Sequence, residues 1–150
     1  MRTMALDVGA KTVGIAVTDE LGISASPRET LRRDGSEIDR LERIVKEEQV
    51  GEVVVGLPIS LNGTLGPSAQ KVLTFVDALR ARLEVPIETW DERLTTAEAE
   101  KMLIAADMRR AKRRQVIDQI AATLILQGYL RKRSWQSGQH SPEDPLLDDA

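Results

Sequence analysis

The stretch Met4-Ala5-Leu6-Asp7-Val8-Gly9-Ala10-Lys11-Thr12-Val13-Gly14-Ile15-Ala16-Val17-Thr18-Asp19 decides the fold. An apolar run of strand length stops at a carboxylate, turns through Gly9 to Gly14, and resumes as a second apolar run. This predicts two strands joined as a hairpin, with Asp7 near the end of the first. A charge inside an apolar strand is costly unless a cation, hydrogen bonds or solvent compensate it. The rest of the chain must supply that compensation.

Working outward, Ile23 to Thr30 reads as a third, weaker strand, with Pro27 placing it at an edge or bulge. Ser36 opens a helix with Asp39 in capping-box-like spacing. Its apolar stripe is Ile38, Leu41, Ile44 and Val45, and Gly51 ends it. Val53-Val54-Val55 has the pattern of a parallel strand buried on both faces. Gly56-Leu57-Pro58 terminates that strand, and Asn62-Gly63-Thr64 marks a turn. Pro67 suits the first turn of a second helix, carried by Ala69, Val72, Leu73, Val76 and Leu79. A strand from Val85 to Trp90 leads into Asp91-Glu92-Arg93, and Thr95 with Glu98 opens a further helix. A basic loop, Arg109 to Arg114, precedes a last helix from Gln115 to Leu130. One domain is expected over residues 1–133, with a disordered polar and acidic tail over 134–150.

The resulting order is α/β. Three leading strands joined by short turns are antiparallel, and the later strands, reached through helices, are parallel to the first. A mixed five-stranded sheet flanked by helices follows. Ligands in such sheets gather beyond the carboxyl ends of the parallel strands. Asp7 and the Asp91-Glu92 pair both fall at such ends, so topology alone brings them to one edge.

Composition bounds the chemistry. The 150 residues suit one domain, with 41% hydrophobic and 30% charged residues as in an ordinary soluble protein. There is no cysteine, so neither a disulfide framework nor a cysteine-based zinc site is expected. The single histidine, His140, lies in the polar tail, which argues against histidine catalysis. No apolar run reaches membrane-spanning length and the chain starts directly with a strand, so a cytoplasmic address with no membrane partner is expected. Setting aside Glu143, Asp144, Asp148 and Asp149 turns the net charge of −3 into +1. Basic residues cluster at Arg109-Arg110-Ala111-Lys112-Arg113-Arg114 and Arg131-Lys132-Arg133. Such runs neutralise phosphates, or form a solvated loop and a helix end that favours cations.

Acids from separate strands that meet at one edge repel unless something positive sits between them. Magnesium suits such a site, because it takes oxygen ligands octahedrally and keeps waters while binding phosphate. Paired ions clamp the attacking and leaving oxygens of phosphodiester hydrolysis. Asp118, near the start of the last helix, is a third candidate. Each acid also has an ordinary structural role: an Asx turn for Asp7, a pair with Arg93 for Glu92, and the helix N-terminus for Asp118.

Four motifs then appear in order: Asp7-Val-Gly-Ala-Lys-Thr-Val-Gly14, Val55-Gly-Leu-Pro58 with Asn62-Gly-Thr64, Asp91-Glu-Arg-Leu-Thr-Thr96, and Ile117-Asp-Gln-Ile-Ala-Ala122 with Ile125-Leu-Gln-Gly-Tyr-Leu130. Together they resemble the YqgF/RuvX family, Holliday-junction-resolvase-like proteins of the RNase H superfamily described as pre-ribosomal-RNA nucleases. The resemblance covers residues 1–133. It implies an RNase H-like fold and cleavage dependent on Mg2+ or Mn2+, by an endo- or exonuclease. The expected role is maturation of the 5′ end of precursor 16S rRNA. It also implies that Asp7, Glu92 and Asp118 are the catalytic, metal-binding acids, with Asp91 a rival to Glu92.

Chemistry assigns the supporting roles. Gly9 and Gly14 let a phosphate backbone approach the hairpin or serve its turn. Lys11, Asn62, Thr64, Arg93, Arg109, Arg110, Lys112, Arg113 and Arg114 are candidates for contacting nucleic acid. At 3% aromatic residues, rows of stacked bases are not expected, and shape and backbone recognition is. The partner would be structured RNA or branched DNA, bound by a monomer or homodimer. Four rival readings are a junction resolvase acting in recombination, a non-catalytic module binding nucleic acid or a transcription factor, an ordinary α/β domain with no chemistry, and an actin-like ATPase or sugar kinase. The last needs two such lobes, and this chain has room for one.

Overall fold

The alternation of Met4, Leu6 and Val8 with Thr3, Ala5 and Asp7 sends two sets of side chains to opposite faces of one strand, and both faces are covered. In the computed structural model, which describes residues 1–60, 62–92 and 121–133, β1 (Arg2–Val8) lies at the centre of a five-stranded sheet. The other elements are β2 (Thr12–Thr18), β3 (Ala25–Arg32), α1 (Glu37–Glu47), β4 (Val50–Leu57), α2 (Pro67–Arg82) and β5 (Ile87–Asp91). Residues 121–133 form a further helix, α3. The strand order is β3-β2-β1-β4-β5. β1, β2 and β3 pair antiparallel, and β4 and β5 are parallel to β1, as the sequence predicts.

One face carries Met4, Leu6, Val13, Ile15, Val53, Val55, Leu57 and Ile87 against Leu41, Ile44 and Val45 of α1 and Val72, Phe75, Val76 and Leu79 of α2. The other carries Ala5, Ala16 and Val54 against Ala122, Ile125 and Leu126 of α3, with Trp90 and Tyr129 at its margin. Small residues on both sides let α3 lie close to the strands. A Cβ on Gly128 would come within 2.9 Å of the Trp90 ring.

Four local expectations are corrected. The third strand starts at Ala25, because Asp19 accepts the Ile23 N–H and the Ser24 hydroxyl and commits residues 19–24 to a turn, with Gly22 at φ 71°. Ile23 is left 73% exposed. The Ser36–Asp39 capping box does not form: the Ser36 hydroxyl donates to Asp34 at 2.6 Å, while Asp39 pairs with Arg82 of α2. Gly51 does not end α1; Gln49 takes the left-handed conformation at φ 53°, and Gly51 sits in β4, where the Met1 side chain fills the space of a Cβ. β5 starts at Ile87 because Pro86 has no N–H to donate, though its carbonyl accepts from Val53 at 2.9 Å. The helix expected after Thr95, the Thr95–Glu98 box and the tail lie outside the described residues.

Candidate active site

Register fixes which carboxylates share a face. Asp7 pairs with Gly14 of β2, and Leu6 pairs with Val55 of β4, so one step along the parallel strands Asp7 stands beside Gly56. Gly56 in turn pairs with Trp90 of β5. The row Gly14, Asp7, Gly56, Trp90 therefore crosses four strands. It has the parity of Ala5, Ala16 and Val54, which is the α3 side. Asp7 has a glycine on each neighbouring strand, so neither paired residue raises a side chain of its own beside it.

Glu92, immediately after β5, fills the space above Gly56. A Cβ on Gly56 would lie 2.7 Å from Glu92 Oε1, 2.8 Å from Glu92 Cγ and 2.6 Å from Ile125 Cδ1. With strands about 4.8 Å apart, that carboxylate sits roughly one strand spacing from the β1 backbone at Asp7. Asp91 takes the opposite face: it pairs with Leu57, whose side chain belongs to the α1/α2 core. Of the two neighbouring acids, Glu92 is the one on the face of Asp7. Asp7 and Glu92 are both partly buried.

α3 runs antiparallel to β4. Ile125 lies over Gly56, Gly128 against Trp90, and Tyr129 and Arg133 reach back to Glu52 near the start of β4. The chain thus enters α3 from the carboxyl edge, where Asp7 and Glu92 lie. Asp118, three residues before the described start of α3, lies outside the described residues, as do Arg93, Arg109, Arg110, Lys112, Arg113 and Arg114. No group of three or more potential metal ligands occurs among the described residues; Asp7 and Glu92 stand on one face of the sheet, Glu92 over Gly56.

Two loops flank this pair at the same edge. In the β1–β2 turn the Gly9 N–H donates to the Thr12 carbonyl at 2.8 Å, and Lys11 is exposed. Gly14 lies in β2 rather than in that turn. After β4, the Asn62 Oδ1 accepts the Thr64 N–H at 3.1 Å and the Thr64 hydroxyl at 2.7 Å. Gly63, at φ 84°, makes this turn possible. The Asn62 oxygen is spent on the turn, so contact with a ligand would fall to its amide donors, which suit phosphate oxygens. Exposed Asn62 and Thr64 are brought to the site's edge but not into contact with the acids by any described bond.

Two residues were missed by sequence reasoning. Gly56 was read as a strand stop, yet it lies inside β4 and makes room for Glu92; a glycine inside an apolar run is itself a signal of close approach. Arg33, which the sequence reading did not single out, bonds the β1–β2 turn.

Comparison with known proteins gives a consistent answer. The profile of the family described as "RuvX: Holliday junction resolvase" matches residues 1–132. A protein of Desulforudis audaxviator named "Putative pre-16S rRNA nuclease" is 50% identical over 143 residues, covering 94% of this chain and 100% of the relative. A relative of the same name from Desulforamulus reducens is 52% identical over 132 residues, covering 87% and 96% of the two chains. Among solved structures, Thermus thermophilus RuvC in complex with a Holliday junction substrate superposes with a TM-score of 0.55 at 15% identity, covering 89% of this chain and 96% of that one. The fowlpox virus Holliday junction resolvase gives 0.53 at 13% identity, covering 88% and 99%. At such identities these structures speak for the fold alone, and the fold is RuvC-like.

Proposed function

Since the chain belongs to the RuvX family, we propose that it is a nuclease that hydrolyses phosphodiester bonds in precursor 16S rRNA, on the pattern of its named relatives. The observation that carries this reading is the placement of Asp7 and Glu92 on one sheet face, at the carboxyl edge, with glycines beneath and beside them. Asp118 would complete the set. In sequence it stands four residues before Ala122 and seven before Ile125, the spacing of one helical face.

The donor chemistry fits a hard divalent cation: carboxylate oxygens, with no cysteine in the chain and its one histidine in the tail. Asp7, Glu92 and Asp118 would hold Mg2+ or Mn2+, which supplies positive charge to the attacking and leaving oxygens when bound. Glycines around Asp7 leave room for a phosphate group to approach the carboxylates. Lys11, the Asn62 and Thr64 donors, Arg93 and the Arg109–Arg114 run would neutralise and orient the flanking phosphates. A water oxygen attacks phosphorus, one ester bond breaks, and a phosphate monoester and a hydroxyl result. Contacts to phosphate rather than bases make affinity fall steeply with salt. A cytoplasmic address follows from this substrate. Among the described residues no helix is long and apolar enough to cross a membrane.

The family description favours one second reading, cleavage of branched DNA. A panel of precursor rRNA, four-way junction DNA and single strands, with Mg2+ or Mn2+ and with Asp7→Asn as control, tests both. Metal-dependent cutting of the precursor, lost in Asp7→Asn while the fold persists, is expected. Cutting confined to junction DNA would transfer the assignment, and equal cutting by the variant would remove Asp7 from the site.

A further inference from the structure

Arg33, just past β3, ties three separate elements to the turn beside Asp7. Its backbone N–H donates to the Lys11 carbonyl at 2.9 Å, and its Nη1 donates to the Gly9 carbonyl at 2.9 Å. Its Nε donates to Glu37 of α1 at 3.3 Å, and its guanidinium carbon lies 5.2 Å from the centroid of the Phe75 ring on α2. Both anchors are buried: Glu37 is 8% and Phe75 5% exposed. Glu37 is itself held by the Gly35 N–H at 2.8 Å. The carbonyls on either side of Ala10 are thus fixed to the α1/α2 layer through one side chain and its own amide.

We propose that Arg33 is a positioning residue for the nuclease reaction, holding the β1–β2 turn so that Asp7 and Lys11 keep their place against Glu92. This rests on the nuclease reading above. The β1–β2 turn is a three-residue connection, Gly9 to Lys11, closed by the bond from the Gly9 N–H to the Thr12 carbonyl, and Ala10 and Lys11 are exposed. A planar guanidinium suits the task because it donates in two directions at once, toward Glu37 and toward Gly9, while its charge lies over the Phe75 ring. A lysine carries its three donors on one nitrogen, without the rigid fork or the flat face that spans these partners. Displacement of a reacting group by about 1 Å can cost 10²-fold in rate without loss of binding, so a loosened turn is expected to be read in kcat.

The test compares the full chain as wild type, Arg33→Lys and Arg33→Gln, in cleavage of precursor rRNA with Mg2+ and in amide hydrogen exchange. Arg33→Gln is expected to lower kcat by at least about tenfold with KM within twofold, and Arg33→Lys to fall between it and wild type. Exchange at the Gly9 amide is expected to quicken by at least about tenfold, while Ala5 and Leu6 in the buried part of β1 stay protected. Unchanged Gly9 exchange overturns the proposal. So does an unchanged kcat with a raised KM, which would make Arg33 a substrate contact. Should Arg33→Gln fail to fold, Arg33→Lys carries both measurements. A wild type that cuts no substrate sinks the nuclease reading and the reaction role with it, and the exchange result then decides the tether alone.

Discussion

Replacing Gly56 with alanine tests the site where packing and chemistry meet. The added Cβ would fall 2.7 Å from Glu92 Oε1 and 2.6 Å from Ile125 Cδ1, against an ordinary contact limit of 3.4 Å, so the two must retreat by 0.7 Å and 0.8 Å. Both obstacles are side-chain atoms, so the strand itself survives. Overpacking of this kind costs about 1–3 kcal/mol, offset in part by the 0.4–1 kcal/mol gained when a glycine is removed from the unfolded chain. The expected loss of stability is therefore about 1–2 kcal/mol. Catalysis should suffer more, because moving Glu92 by most of an ångström disturbs a charge-holding group; about 10²-fold in kcat is expected. Gly51→Ala is the matched control. Its Cβ would meet the Met1 sulfur at 2.6 Å, but Met1 is 89% exposed and can swing aside. Denaturant titration and initial cleavage rates per folded molecule report the two quantities. A Gly56→Ala protein that cuts as fast as wild type would refute the claim that Glu92 depends on the empty space above Gly56.

Face assignment separates the adjacent acids: Glu92→Gln should lower kcat by about 10²-fold or more, whereas Asp91→Asn should cost less than about tenfold, and the reverse order in the same cleavage assay would refute the face argument. Tyr129 donates or shares its hydroxyl between Glu52 at 2.9 Å and Glu88 at 3.2 Å; burial, then the Glu52 carboxylate, raise its pKa above the ordinary phenol value. Tyr129→Phe should lower stability by about 1 kcal/mol in denaturant titration, and no change would place both carboxylates with other partners. Burial pushes Glu37 upward, but the amides of Glu37 and Gly35 and the Arg33 guanidinium outweigh it, and its pKa ends below the unfolded value of 4.5. Its contribution to stability is thus complete above pH 4.5 and lost as the pH falls through the depressed folded value. Glu37→Gln should flatten the stability curve in that acid window, and a wild-type curve unchanged by the substitution would refute the assignment.

What was legible in the sequence is what is periodic. Alternation in the first hairpin and the wholly apolar Val53-Val54-Val55 specify strand type, and the short or helical connections between them specify direction, which together give the sheet order and the shared edge. The choice between Asp91 and Glu92 was not legible. Both faces of the sheet are covered, so Ile87 and Trp90 are both apolar neighbours and parity alone does not say which face is which; pairing of Leu57 with Asp91 decides it. Gly56 was misread because Gly-Leu-Pro resembles a turn, and the side chains that need its empty space come from Glu92 and Ile125, far along the chain. Arg33 stands among charges in Arg32-Arg33-Asp34, and only the return of the chain beside the first turn gives it partners.

α3 makes the site and the core a single object. Its sheet side is built of Ala122, Ile125 and Leu126, and the methyl end of Ile125 shares the hollow above Gly56 with Glu92. At the far edge Tyr129 and Arg133 grip Glu52, which also accepts from the Thr3 hydroxyl at 3.0 Å. Those contacts hold α3 against β4 at one end, so its other end is presented to the carboxyl edge where the acids stand. A carboxylate at Asp7, within the strand, needs compensation, and Glu92 above Gly56 adds like charge near it. Native packing therefore holds the two together with hydrogen bonds or positive charge at that edge, and under the proposed function a cation and a phosphate chain would draw on the same two carboxylates.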